Sequence, residues 1–206
     1  KTFVEDASRG VYSHRFPIFG NSDDDEKVDD EAWLIGGASN VGCAILRQEG
    51  FSNDELRTLS EEIDPNSDSS YAYYPLTKKG ERFPVADSTK EPVLTPKSDS
   101  RKDYLHGILQ GIGDVEREGY RVLGELGADP SMPTIVLTAG GGSANSMWMT
   151  LRERRLRNIC GADVEVRRAT NTEASYGAAL LAAASFENTA IPASSENYGT
   201  QENYIN

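Results

Sequence analysis

The sequence predicts an α/β domain with a mixed central sheet and helices on both faces. Three observations carry that prediction. The C-terminal half alternates strand-like apolar runs with helical periodicity, which implies parallel strands joined by crossover helices. The N-terminal half opens on two apolar runs joined by a connection too short for a crossover helix, so those two should pair antiparallel. Finally, TIVLTAGGG (134–142) runs into three consecutive glycines directly before a helix-like stretch. Backbone that bare between a strand and a helix suits a ligand that approaches the main chain closely, most often a nucleotide.

GVYSHRFPIF (10–19) reads as a partly alternating strand and GNSDDDEKVDDE (20–31) as a mobile charged loop. AWLIGG (32–37) is a short strand ending in a glycine turn, and ASNVGCAILRQEG (38–50) reads as a helix closed by Gly50. Ser52 and Glu55 then form a capping box, with Leu56, Leu59 and Ile63 at helical spacing. Residues 64–100 are rich in Pro, Ser, Asp and Tyr and show no period. They read as an irregular excursion, ordered because YAYYPL and RFPV bring apolar surface to pack; a disordered linker is the alternative. In 103–127, Leu105, Ile108, Leu109, Ile112, Val115, Val122, Leu123 and Leu126 repeat at three and four. The glycines inside this helix each cost up to about 1 kcal/mol relative to Ala and suit close packing on a neighbour. A fully buried strand enters the three glycines, and a helix follows over 143–160. ADVEVRRA then alternates as a strand does. A Thr170–Glu173 capping box opens a last helix rich in small residues, Gly177, Ala178 and Ala179 among them. The polar tail, 188–206, is expected to be disordered, leaving one domain over 1–187.

A net charge of −12 argues against a nucleic-acid or membrane-surface partner. RERRLR (152–157) is locally basic and reads as a solvated helix face. No apolar run approaches the roughly 20 residues that span a bilayer. The two cysteines, Cys43 and Cys160, are too few for a disulfide scaffold and fit a reducing compartment. No Cys/His cluster has zinc spacing, so no metal ligand is assigned. His14 and His106 read as ordinary packed or surface residues. The chain opens on Lys1 without a secretory leader, and a soluble intracellular piece of a processed or truncated product is expected.

Three nucleotide sites compete for the glycines. A phosphate-cradling P-loop needs a Lys that is absent here. A dinucleotide G-x-G-x-x-G site fits at Gly140 and Gly142, but Asn145 stands at the third glycine. Asp163 opens the following strand rather than closing it, and Arg167 and Arg168 end it. The third reading is an adenosine loop, in which bare backbone lies flat against base and ribose. Asn145, four residues after Gly141, would then sit on the first helical turn with its amide facing the ligand. A glycine-rich turn that binds nothing stays open beside these.

TAGGGSANSMWMTLRERRL followed by VRRATNTEASYGAALLAA resembles the paired signature of the C-terminal domain of the FGGY carbohydrate kinases. RGVYSHRF, WLIGGASNVGCAILR, YYPLTKKGERFPV and YLHGILQGI are similar to that family's plant and cyanobacterial ribulose- and xylulose-kinase-like branch, nearer its D-ribulose kinases. The resemblance implies an actin-like ATPase (ribonuclease H-like) fold holding ATP with Mg²⁺. It implies an activity that passes the γ-phosphate to a pentulose hydroxyl. Gly141 and Asn145 match the family's adenosine contacts, and Gly140, Gly142 and Ser143 line the same turn. Gly36, Gly37, Ser39 and Asn40 are similar to its second glycine turn, at the cleft. The family's G-T-[TS] phosphate loop would lie before Lys1, so the domain's first strand is expected to be missing. The sugar lobe and its Asp base are expected to be missing too. Asp6, Asp87 and Asp103 match no family motif, so no catalytic residue is assigned and the chain alone is expected to be inactive. The resemblance leaves open a homodimer, a plastid or cytoplasmic address and a non-catalytic regulatory or interaction role. An NAD(P)-binding domain is the remaining alternative.

Overall fold

The computed structural model describes residues 3–16 and 32–187 of the 206-residue chain. The expected charged loop and polar tail lie outside the described residues. β1 (Val11–Phe16) and β2 (Ala32–Gly37) pair antiparallel, with Val11 opposite Gly37 and Phe16 opposite Ala32. After β2, the helix expected over 38–50 shrinks to α1 (Ala44–Gln48), closed by Gly50 at φ 73°. Residues 38–43 are instead a loop, tied to Glu81 through Ser39 and Asn40 and bridged from Val41 to Leu76. Ser39, Asn40, Val41 and Gly42 are weak helix formers, so a distant carboxylate sets the conformation here. α2 (Asn53–Glu61) follows, with its capping box formed: Ser52 Oγ accepts from the Glu55 N–H, and the Ser52 N–H donates to the Glu55 carboxylate at 2.9 Å.

Residues 64–100 hold only isolated bridges, Tyr74 with Val93 and Glu81 with Asp87 among them, yet Tyr73, Leu76 and Phe83 are buried. They pack on α3 (Arg101–Glu125), whose N-cap Ser100 Oγ accepts from the Asp103 N–H at 3.2 Å. The α3 glycines make that packing close. A methyl group on Gly107 would lie 2.7 Å from the Tyr73 ring, and one on Gly119 2.6 Å from the Phe83 ring. The main core gathers Ile45, Tyr104, Leu105, Ile108, Leu109 and Leu151 from α1, α3 and the helix after the glycines, with Phe51 from the link between α1 and α2. Each such Leu or Ile contributes about 1.5–3 kcal/mol by leaving water.

β3 (Ile135–Thr138) leads into a 3₁₀ turn over Gly141–Ala144 and then α4 (Ser146–Cys160). α4 crosses over to β4 (Glu165–Arg168), which pairs parallel with β3, Ile135 opposite Glu165. β3 was expected to be buried on both faces and is not. Val136 and Thr138 are buried, Val136 in a cluster with Leu156 of α4, while Ile135 and Leu137 alternate outward at 46% and 56% exposure. The central sheet expected from the sequence is present among the described residues as two separate two-stranded sheets, one antiparallel and one parallel.

The arginines of α4 overturn the solvated-face expectation. Arg152 is only 7% exposed; Arg154 Nε donates to the Pro65 carbonyl at 2.8 Å; Arg155 pairs with Asp114 and Asp68. Their partners lie far away in sequence, so the run by itself reads as a surface. The chain divides into two units, Lys1–Phe16 with Ala32–Thr172, and Pro17–Glu31 with Glu173–Asn206. The second contributes α5 (Ala174–Glu187), which begins later than the Thr170–Glu173 box predicts. No helix among the described residues is long and apolar enough to cross a membrane.

Candidate functional site

The glycine turn is shaped by glycines with different duties. Gly140 has φ 83° and ψ −178°, a backbone region that strongly favours glycine. Ser143, 3% exposed, ties the turn shut: its N–H and Oγ both donate to the Gly140 carbonyl, at 3.1 and 2.7 Å. Gly142 faces inward, where a methyl group would lie 2.5 Å from Trp148 Cζ3 and 3.3 Å from Cys43 Sγ. Gly140 and Gly141 face open space, with no heavy atom within 4 Å of where a Cβ would stand. The turn therefore presents naked main chain on one side and is packed against Trp148 on the other.

Asn145 does not sit inside the helix, where the sequence placed it. It is the N-cap of α4. Its Oδ1 accepts from the Trp148 N–H at 3.0 Å, and its Nδ2 donates to Ser60 Oγ of α2 at 2.7 Å. The 3₁₀ turn places Asn145 just outside the helix, where a carboxamide satisfies an orphan N–H. Its amide joins α4 to α2.

The loop after β2 forms the facing wall. Glu81, 3% exposed, accepts from four donors: Ser39 Oγ at 2.9 Å, the Asn40 N–H at 2.7 Å, Tyr74 Oη at 2.9 Å and the Arg82 N–H at 2.8 Å. Burial, and then the Glu81 carboxylate, push the Tyr74 phenol well above its ordinary pKa. Asn40 Nδ2 donates to the Gly80 carbonyl at 3.1 Å, and its Oδ1 accepts from Arg82 Nε at 2.8 Å.

These walls enclose a cleft of about 450 Å³, within the range of small-molecule sites. Of the residues singled out in the sequence, it joins Gly37 and Ser39 with Gly140, Gly141 and Gly142. Gly36, Asn40, Ser143 and Asn145 lie outside its lining. Sequence reasoning missed Glu116, Thr138, Trp148 and Arg152 in the same wall. Arg152 Nε and Nη2 grip the Glu116 carboxylate at 2.7 and 2.6 Å, and Nη1 donates to Thr138 Oγ1 at 2.7 Å. Burial works against the Arg152 charge, but the hydrogen bonds and charge of Glu116 outweigh it, so its pKa stands above the ordinary value. The guanidinium also lies 5.0 Å from the centre of the Trp148 ring. The one signal available beforehand was spacing: Trp148 and Arg152 are four apart on one helix face.

The described residues contain no cluster of three His, Cys, Asp or Glu side chains placed to hold a metal. The cleft combines apolar side chains (Val41, Phe83, Ile112, Val115 and Trp148) with bare main chain, one carboxylate–guanidinium pair and the hydroxyls of Ser39 and Thr138, a lining suited to a flat ligand with a polar rim such as a nucleoside. A family model described as the FGGY family of carbohydrate kinases, C-terminal domain, matches residues 18–186.

Proposed function

The chain belongs to the FGGY family of carbohydrate kinases, in its C-terminal domain, and from that premise we propose that it is the ATP-binding lobe of a pentulose kinase, most specifically one acting on D-ribulose. The observation that carries the reading is the open face of Gly140 and Gly141, in a cleft shared with Gly37 and Ser39. Bound ATP supplies the phosphoryl group that passes to a sugar hydroxyl, giving the sugar phosphate and ADP. The chain's own residues provide position. The backbone of Gly140 and Gly141 is the bed for base and ribose, and Gly37 and Ser39 form the opposite wall. Asn145, whose amide is committed to α4 and to Ser60, fixes the angle at which the turn leaves the helix. Among the described residues no side-chain cluster is placed to hold Mg²⁺, so it would be held through the nucleotide phosphates, whose charge it would neutralise. No catalytic base or sugar contact is assigned to the residues of this chain. In such transfers positioning and charge neutralisation do most of the chemical work.

Calorimetry on the 206-residue chain tests the lobe assignment: saturable ATP binding is expected, and its absence removes the site. A pentulose and alditol panel on the full-length kinase tests the substrate. Fastest turnover on D-ribulose is expected, and a faster pentulose replaces it. ATP binding without any turnover would point to a regulatory descendant of the family.

A further inference from the structure

Among the described residues, the lining of the glycine cleft holds a single carboxylate, that of Glu116 on α3, with its side chain 22% exposed. Arg152 fixes its direction. The two groups meet side by side through Nε–Oε2 at 2.7 Å and Nη2–Oε1 at 2.6 Å, and the Arg152 side chain is itself 8% exposed. Thr138 Oγ1 accepts the third Arg152 bond, which anchors the pair to the end of β3, just ahead of the glycines. Each carboxylate oxygen has two acceptor directions. Arg152 takes the parallel direction on each oxygen, leaving one outer acceptor on each, the two pointing away from one another and held by the fork.

An anionic acceptor pair repels phosphate and attracts hydroxyl donors. A neutralised ion pair also brings little net pull on a triphosphate. Within the nucleotide reading proposed above, on which this inference rests, the part of the ligand that suits Glu116 is the one carrying adjacent hydroxyls. We infer that Glu116 accepts a hydrogen bond from the ribose 2′-hydroxyl, with Arg152 as its positioning residue, and that the pair makes the cleft selective for ribonucleotides. Carboxylates serve the same ribose hydroxyls in dinucleotide folds, for the same reason of matched donors and acceptors. Removing one hydroxyl leaves a partly desolvated carboxylate short of a donor, and a site built for a hydroxyl rejects the analogue lacking it.

The test is a calorimetric panel of ATP, 2′-deoxy-ATP and 3′-deoxy-ATP on the wild-type 206-residue chain. ATP should bind about tenfold or more tightly than 2′-deoxy-ATP, with 3′-deoxy-ATP within about threefold of ATP. In Glu116→Gln, with folding checked by circular dichroism, the gap should shrink to less than about threefold. Equal affinities for ATP and 2′-deoxy-ATP in the wild type overturn this inference and leave the nucleotide site standing. If no member of the panel binds, the nucleotide reading falls and this inference with it. The wild-type panel decides the matter even if the variant does not fold.

Discussion

At the scale of single residues, Asn145 and His106 make opposite commitments. Asn145 has both ends of its amide in use, one on the Trp148 N–H and one on Ser60 Oγ. Asn145→Ala should therefore cost about 1 kcal/mol of stability through the lost cap, whereas Asn145→Asp keeps a capping oxygen and should hold the wild-type melting temperature. Equal melting temperatures for Ala and wild type would remove the cap from the account. His106 is 8% exposed, and its Nε2 is buried without a hydrogen-bond partner. Burial first, then Arg154, lower its pKa, while Asp103, Asp68 and the Ser67 backbone raise it; the net shift is downward from 6.5. The unfolded chain therefore binds this proton at a higher pH than the folded one does. The stability contributed by neutral His106 is present above pH 6.5 and is lost as pH falls from there toward the lowered folded value. Urea unfolding between pH 7.5 and 5.5 should show this loss, and His106→Leu should flatten it. An unchanged slope in that variant would assign the pH dependence elsewhere.

At the scale of elements, the loop after β2 depends on one carboxylate. Glu81 gathers two side-chain hydroxyls and two backbone N–H groups. Glu81→Ala would strand all four donors, two of them main-chain, and should cost about 3 kcal/mol in urea unfolding. Glu81→Gln keeps one acceptor oxygen and should cost less. A loss under about 0.5 kcal/mol in the Ala variant would show that water replaces the carboxylate freely. This loop also marks where the sequence stops being legible. The capping box of α2, the apolar stripe of α3 and the glycine turn after β3 are local patterns, and each could be read directly. Residues 38–43 are weak helix formers apart from Ala38, and the carboxylate that holds them as a loop stands some forty positions away. The α4 arginines mislead for the same reason, since Asp68, Asp114 and Glu116 are invisible to a window around residue 152. Asn145 was placed inside the helix rather than at its cap because a 3₁₀ turn precedes the α-helix. Removing Arg152 as Arg152→Met should unpair Glu116 and loosen the tie between α3 and α4. A cost of about 2–3 kcal/mol is expected, and it should shrink in the Glu116→Gln background if the pair is what is lost.

At the scale of the molecule, the question is whether fold and ligand make separable demands on the glycine turn. The geometry says that they do. Gly142 is packed into the fold, with the Trp148 ring and Cys43 Sγ where a side chain would go. Trp148 is in turn locked into the core, with its Nε1 donating to the Leu109 carbonyl at 3.2 Å. Gly142→Val must displace that ring, and overpacking of this kind costs about 1–3 kcal/mol. Gly141 has open space on the cleft side and a backbone that does not demand positive φ. Gly141→Val should leave the melting temperature within a few degrees of wild type while its side chain occupies the bed proposed for the nucleoside. ATP affinity should then fall by at least about tenfold, since close backbone approach is what the glycine permits. The two variants thus predict a double dissociation, stability lost at Gly142 and binding lost at Gly141. If Gly141→Val binds ATP as the wild type does, the open face of the turn is not where the nucleotide lies, whatever the stability of the protein.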